Sequence, residues 1–479
     1  MEYDSSAAST LADKLAVEIE MLPEGRRVPS QRVLVRRFGA SATTVAQALR
    51  LLTQRGLVET HPGSGTFRAR TGRPVASGDT SWQEAALELT EGLREGGGTR
   101  RFGGPGLADV LDAHGPDVID LNGGYLHPEL QPSQLLRAAL TRAAKRVESW
   151  ERPAAGGIPE LRDWFARDIG GGLGRSDVLV CGAGQAALAT TMRALAQPGD
   201  PVVVEAPTYP GTMAAALAAG LRPVPVPLDA EGIVPQHLDD ALARARARVV
   251  VVQPRWHNPT GVSMSPGRCA EVRRIAKAHD AFVVEDDFVR HLDHADAPVS
   301  SPPMVADDAD GTVIHIRSLT KATSPNLRIG AIAARGPVVD RLRAALLVDT
   351  ILTPAPLQLA ALEVVTSSGW RRHLTTLGVQ LQERREIAAR AAVDTFGEGC
   401  LPTAPRGGYH LWVALPRHAD GAALARRALT LGVAVTPGSN YYLPGTEPRP
   451  NLRLSYVATP SGADLETGIR RLRDLLPPP

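Results

Sequence analysis

Residues 318–330 read Ser-Leu-Thr-Lys-Ala-Thr-Ser-Pro-Asn-Leu-Arg-Ile-Gly, directly after the β-branched run Thr-Val-Ile-His-Ile-Arg at 312–317. The apolar run predicts a buried strand, and the Ser/Thr-rich stretch predicts a turn at its carboxyl end. Lys321 in that turn is informative because the 479-residue chain holds four lysines, the others being Lys14, Lys145 and Lys277, and otherwise carries positive charge on arginine. A guanidinium replaces an ammonium wherever charge alone is needed, but it does not condense with an aldehyde, so a retained lysine points to amine chemistry. Lys14, Lys145 and Lys277 fall on helical patterns with charged neighbours. Lys321 stands apart, with Ser318, Thr320 and Arg328 nearby as hydroxyl and guanidinium donors for an anion.

Further apolar runs flank this segment: VLVCGAG from 178, PVVVEAP from 201, VVVVQP from 249 and AFVVEDD from 281. Helical patterns separate them, which predicts an α/β body with a mostly parallel sheet covered on both faces. In such a sheet ligands gather at the carboxyl ends of the strands. From about residue 370 the pattern becomes one long helix followed by GGYHLWVAL, VAVTPG and LRLSYV. This predicts a smaller α+β domain over about 370–479, with a cleft between it and the large sheet.

The amino-terminal end reads differently. Leu11, Leu15, Ile19 and Leu22 recur at helical spacing, and Pro29 with Ser30 opens a second helix with Val33, Leu34 and Phe38 on one face. Gly39 ends that helix, Ser41 is placed to cap a third bearing Val45, Ala48, Leu49 and Leu52, and Gly56 terminates it. Short strands at 57–60 and 66–69 around His61-Pro62-Gly63-Ser64-Gly65 complete a winged helix-turn-helix pattern. The third helix of such a module enters the major groove, and Arg32, Arg36, Arg37, Arg50 and His61 are available for phosphates.

Composition fits this division. The chain is 43% hydrophobic and 22% charged with a net charge of +2, a globular profile whose basic excess is concentrated at the amino-terminal end. No apolar run approaches the roughly 20 residues of a membrane helix, and MEYDSSAAST lacks the regions of a signal peptide. A cytoplasmic protein is expected. Cys181, Cys269 and Cys400 show no metal-ligand spacing, so no metal is expected. Residues 71–115 read as a Gly-, Arg- and Pro-rich linker around one helical piece at 82–94, where Trp82 and Leu87 are either a docking face or a local anchor. The boundaries are therefore a head at 8–70, the linker, and an effector body at 116–479.

Two resemblances follow. VPSQRVLVRRFGASATTVAQALRLLTQRGLVETHPGSGTF at 28–67 resembles the GntR-type winged helix. That likeness implies that Ser30, Arg32, Thr43, Thr44 and Gly65 lie near duplex DNA, joined by Arg50 and His61. Ala42 and Ala46 depart from it, standing where many relatives place polar or charged base readers. Residues 117–479 resemble a fold-type I aminotransferase through GIPELRDWF, GAGQAAL before QPGD, APTYPG, NPTG, VVEDDF, SLTK with its distal arginine, and LRLSY. The whole chain resembles the MocR branch of GntR regulators.

The second resemblance implies pyridoxal 5'-phosphate as cofactor, with each motif in a physical role. The amides of Gly184, Gln185 and Ala186 would hold its phosphate at a helix start, with Ser318, Thr320 and Arg328. Tyr209 would stack on the ring, Asn258 would donate to the phenolic oxygen, and Asp286 would pair with the ring nitrogen. Lys321 would carry the imine, and Arg453 would bind an α-carboxylate. Trp256 and His257 beside NPTG read better as a packed pair than as pocket walls. Three departures stand out: Phe288 lacks the hydroxyl that many relatives offer the phenolic oxygen, the glycine-rich turn lacks the usual serine, and Arg152 replaces a tyrosine that in relatives reaches the neighbouring subunit's phosphate. Arg152 is expected to make that contact in a homodimer whose winged helices lie over the partner's effector body. The implied function is a regulator that senses pyridoxal phosphate, an amino acid or an amine through an aldimine at Lys321 and acts on a DNA operator. The alternative is a working aminotransferase with a DNA-binding appendage, for which Lys321 and Asp286 would be catalytic.

Overall fold

The computed structural model describes residues 3–61, 64–69, 100–102, 106–108, 114–402, 404–443, 446 and 449–475. It divides into two compact units, Met1–Thr90 and Glu91–Pro479. The helical piece expected at 82–94, with Trp82 and Leu87, lies outside the described residues. Among the described residues no helix is long and apolar enough to cross a membrane.

The first unit contains α1 (Tyr3–Glu20), α2 (Gln31–Phe38) and α3 (Ala42–Gln54), followed by β1 (Val58–His61) and β2 (Gly65–Arg68). Leu11, Leu15 and Ile19 meet Leu34, Val45, Ala48, Leu52 and Val58 in one core. Gly39 ends α2 in the left-handed conformation, at φ 61, where glycine carries no Cβ penalty. Three expectations shift. Leu22 follows the end of α1 and packs half-buried against the core. Val33 is 41% exposed, because Leu34 and Phe38, one turn apart, define the inward stripe and Val33 is rotated off it. The wing strands start and stop one residue from the expected positions, so His61 and Gly65 form the last antiparallel pair.

The second unit is built on an eight-stranded sheet. After β3 (Ile119–Asp120), its strands are β4 (Val178–Cys181), β5 (Pro201–Ala206), β6 (Arg222–Asp229), β7 (Gly232–Ile233), β8 (Val249–Val252), β9 (Phe282–Asp287), β10 (Val313–Ser318) and β11 (Gly330–Ala333). Their order is β4-β11-β10-β9-β8-β5-β6-β7. The five strands β5, β6, β8, β9 and β10 run parallel, whereas β11 is antiparallel to both its neighbours and β7 to β6.

Alternate residues feed two cores. Val180, Val203, Val250, Val252 and Val283 face one, while Val202, Val204, Val249, Val251, Val284 and Ile316 face the other with Leu188, Met192 and Leu342. Each fully buried side chain of this kind contributes roughly 1.5–3 kcal/mol, so the strand ends that carry the site are held from both sides.

The sequence reading missed β6, β7 and β11. In β6 every second residue from 223 to 227 is proline, which ordinarily argues against a strand. Here the Arg222 amide donates to the Asp200 carbonyl beside β5 at 2.9 Å. The alternation of the strand therefore puts the absent N–H groups of Pro223, Pro225 and Pro227 on the side away from β5. In β11 Gly330 is required, since a Cβ there would lie 2.6 Å from the Arg317 carbonyl oxygen and 3.0 Å from the Ala183 Cα.

The long helix Ser368–Phe396 precedes a small three-stranded antiparallel sheet of β12 (His410–Ala414), β14 (Thr436–Pro437) and β15 (Asn451–Ser455), ordered β12-β15-β14. Between them β13 (Val433–Ala434) pairs in parallel with β3, which stitches residues 119–120 into this smaller part.

Candidate functional site

The carboxyl ends of β9 and β10 open on a cleft of about 510 Å³. Its walls bring together Gly184, Gln185, Tyr209, Asn258, Asp286, Ser318, Thr320, Lys321 and Arg328, residues spread over more than a hundred positions of sequence. Ala186 sits one residue further along the same helix and is not among the lining residues.

Lys321 is lifted into the cleft by a short 3-10 turn, Thr320–Ala322, that follows β10. The Thr320 amide donates to the Ser318 hydroxyl at 3.2 Å. The Lys321 Nζ donates to the Gly124 carbonyl at 2.7 Å and lies 3.9 Å from the centroid of the Tyr125 ring and 5.4 Å from that of Tyr409. Burial, reinforced by the charges of Arg453 and Arg328, draws its ammonium down to about 7. A substantial neutral fraction at neutral pH is what a nucleophilic amine needs.

Asp286 faces the same cleft from β9. Its Oδ2 accepts from Gln253 Nε2 at 2.7 Å, and Gln253 Oε1 in turn accepts from the Asn258 amide at 3.0 Å. Gln253 thereby ties the acid to the NPTG turn. Burial pushes the Asp286 carboxyl up to about 7 against the pull of Gln253 and Lys321, and a cationic partner in the cleft would reverse that shift.

The neighbours of Asp286 point to the other side of the sheet into a buried ion network. Glu285 pairs with His315 Nδ1 at 2.7 Å, Asp287 with Arg290 Nε at 2.6 Å and with Arg317 Nη2 at 3.5 Å, and Arg317 also pairs with Asp168. Glu285, Asp287 and His315 are spaced as three metal ligands would be. Glu285 nevertheless accepts from the Met304 and Val305 amides, and the two guanidiniums already compensate Asp287, so the arrangement is one of mutual charge balance.

The helix Ala183–Leu195 begins at the cleft behind Gly182, which supplies no side-chain cap. Its first amides are therefore open donors at the positive end of the helix. Around them the buried Gln185 Oε1, Asn258 Oδ1 and Thr320 Oγ1 have no hydrogen-bond partner. Unmade bonds of this kind cost about 1–3 kcal/mol each, and their concentration along one wall marks the polar contacts of a ligand. Gly211 keeps that wall clear, since a Cβ there would lie 2.2 Å from both Gln185 Oε1 and Tyr209 Cε1.

Two of the expected residues stand away from this cleft. Arg453, on β15, is 1% exposed and does not line it. Its Nη1 donates to the Asn122 carbonyl at 3.0 Å. Arg152 is exposed and likewise not among the lining residues. Trp256 and His257 are buried behind the wall, with Trp256 Nε1 donating to Asp293 at 2.8 Å and His257 Nε2 3.2 Å from Glu205.

Sequence reasoning missed Gln253, Tyr125 and Tyr409. Gln253 was findable, since it ends the VVVV run where a parallel strand delivers its ligand contacts. Tyr125 and Tyr409 each follow a Gly-Gly pair, a turn signal that carries no chemistry by itself.

In the first unit Ser30, Arg32, Thr43, Arg50 and His61 are exposed. Thr44 is 8% exposed, with its hydroxyl 2.7 Å from that of Ser41, so it serves the start of α3 while Thr43 presents the free hydroxyl. His61 lies 3.8 Å from Glu59 and packs on Phe67 with ring centroids 5.6 Å apart. Gly65, at φ 114, lets the Arg27 guanidinium approach, since a Cβ there would meet its Nε at 2.8 Å.

Residues 116–472 match the aminotransferase class I and II family, and residues 8–67 match the gntR family of bacterial regulatory proteins. The chain is 28% identical over 456 residues to the uncharacterized HTH-type transcriptional regulator YdfD of Bacillus subtilis strain 168, covering 94% of this chain and 92% of that protein. It is 30% identical over 461 residues to the aminotransferase swnA of Metarhizium robertsii, covering 87% of each. Among solved structures it is similar to LysN, the α-aminoadipate aminotransferase of Thermus thermophilus, complexed with N-(5'-phosphopyridoxyl)-L-leucine. That likeness has a TM-score of 0.71 and 27% identity, over 83% of this chain and 98% of that one.

The aminotransferase class I and II family depends on pyridoxal phosphate, and the donor set here fits that group. An amine, a carboxyl for a ring nitrogen, an amide for a phenolic oxygen, an aromatic ring and an open helix start with hydroxyls and a guanidinium all meet in the one cleft. With an α/β aminotransferase fold behind a gntR-type winged helix, the chain belongs to the aminotransferase class I and II family in its MocR-type, GntR-headed regulatory branch.

Proposed function

We propose that this protein is a cytoplasmic, homodimeric transcriptional regulator whose body holds pyridoxal phosphate and senses a small amine, an amino acid or the cofactor itself at Lys321. The observation that carries the reading is the convergence of Lys321, Asp286, Asn258, Tyr209 and the uncapped helix start on one cleft, in a chain that also carries a gntR head.

The bound cofactor supplies an aldehyde and an electron-accepting ring. Lys321, drawn toward neutrality, would hold that aldehyde through its amine, and Asp286 would keep a proton at the ring nitrogen. Asn258 orients the phenolic oxygen, and the amides of Gly184, Gln185 and Ala186 seat the phosphate with Ser318, Thr320 and Arg328. An incoming amine competes with Lys321, and Arg453 is the candidate partner for a carboxylate. Such a ligand changes DNA binding by binding two states of the protein with different affinity. Ser30, Arg32, Thr43, Arg50, His61 and Gly65 form the DNA-facing set, with Thr44 behind them. Arg152 reaches the partner subunit's phosphate from its exposed loop.

Genome-wide footprinting with and without pyridoxal phosphate tests the whole reading, and sites whose occupancy is indifferent to the cofactor would refute it. Full-length protein saturated with pyridoxal phosphate is expected to absorb visible light, and Lys321→Ala to lose that absorption.

A second reading, an active aminotransferase with a DNA-binding head, is favoured by the similarity to swnA over most of the chain. Sustained transamination at about 1 per second or faster would support it.

A further inference from the structure

Arg453 is among the largest fully buried side chains of the described residues. Its guanidinium carbon lies 5.4 Å from the centroid of the Tyr409 ring, its Nε is buried without a hydrogen-bond partner, and its charge is held by the neighbouring Tyr441 and Tyr409 phenols. It is Tyr409, and not Arg453, that forms the wall of the cleft. That ring is 3% exposed and packs edge-on against Phe288, with centroids 6.1 Å apart at 81°. A Cβ at Gly124 would lie 3.1 Å from the Tyr409 hydroxyl and 3.3 Å from the Lys321 Nζ, which places the phenol beside the reactive amine.

A carboxylate entering beside Lys321 therefore meets an aromatic ring first. An amine with no carboxylate has nothing to gain from Arg453 and leaves the ring in place. An α-amino acid reaches the guanidinium only by displacing the ring and giving up its contact with the cation.

We propose that Tyr409 is a specificity-determining residue that screens Arg453, so that the site takes simple primary amines in preference to the matching α-amino acids. This rests on the reading that the cofactor-loaded site exchanges amines at Lys321.

The test uses the full chain saturated with pyridoxal phosphate, titrated with ethylamine and with L-alanine, which differ by one carboxylate. The affinity ratio is read from the absorbance of the bound cofactor. Wild type is expected to favour ethylamine by about tenfold, Tyr409→Met to erase that preference by improving alanine, and Tyr409→Phe, which keeps the ring, to hold the ratio within about twofold. Tyr409→Leu, a second substitution that removes the ring, gives an independent measure should Tyr409→Met fold poorly, and is expected to erase the preference in the same way. A wild type that prefers alanine, or a ratio that does not move in Tyr409→Met and Tyr409→Leu, would each overturn the screening role. A wild type that takes up no cofactor would instead overturn the functional reading beneath it, and the screening role with it.

Discussion

Two helices of thirteen residues begin differently, and the difference separates reading from seating. At the start of α3 the Ser41 hydroxyl accepts from the Thr44 amide at 3.0 Å. At the start of Ala183–Leu195 the corresponding position is Gly182, with no cap. A capped helix has one of its amides satisfied in place, and α3 presents the exposed side chains Thr43 and Arg50 instead. An uncapped helix in a cleft keeps its amides for an anion from outside. The same physics, four orphan donors at a helix start, is closed for stability in the head and left open for chemistry in the body.

The strongest way to break this contrast is to close the open start. Gly182 has φ −76 and ψ 46, and a Cβ there would meet nothing nearer than the Ala186 Cβ at 3.6 Å, so Gly182→Asp is accommodated. It should weaken pyridoxal phosphate by about 3–4 kcal/mol through like-charge repulsion and stabilise the cofactor-free protein by about 1 kcal/mol as a new cap. Equilibrium dialysis and denaturant unfolding read the two effects, and a variant that moves both in the same direction would break the contrast.

The second prediction concerns pH. Asp286, raised to about 7, keeps in the folded chain a proton that the unfolded chain releases near pH 4, so stability falls as pH rises from about 4 to 7. Lys321, lowered to about 7, has lost in the folded chain a proton that the unfolded chain retains to about pH 10, so stability recovers from about 7 to 10. Urea unfolding of the cofactor-free protein should show a local minimum near pH 7 that cofactor removes, and a profile with a maximum there would refute the burial of this pair.

Smaller effects sharpen the head side. Ser41→Ala should cost the winged helix about 1 kcal/mol in thermal unfolding, and a neutral outcome would remove the cap from the account. Arg50→Ala should lower the dependence of log affinity for duplex DNA on log salt by about 1 if the side chain neutralises one phosphate. An unchanged slope would take it off the DNA-facing set.

Much of this was legible in the sequence, for reasons residue types make plain. Lys321 stood out because arginine carries most of the positive charge, and Asp286 and Asn258 were named through the aminotransferase resemblance of VVEDDF and NPTG. The failures were physical too. Val33 looked apolar enough for the core but lies off the stripe set by Leu34 and Phe38. Thr44 matched a DNA-facing motif, yet its hydroxyl is drawn into the cap. Arg453 was chosen by motif, but its screening by Tyr409 depends on where β12 and β15 pack, which no local pattern encodes.

The alternating prolines of β6 carry one more consequence. A strand margin with free N–H groups is a template on which stray extended chains assemble, and three evenly spaced imino acids blank that template while the opposite margin stays fully paired. Among the described residues the short β7 and the Val234 amide, which donates to the Pro227 carbonyl at 3.1 Å, pair there, so the sheet ends in a selvedge that resists fibril-like growth, a safeguard for a protein that must stay dispersed while it searches DNA.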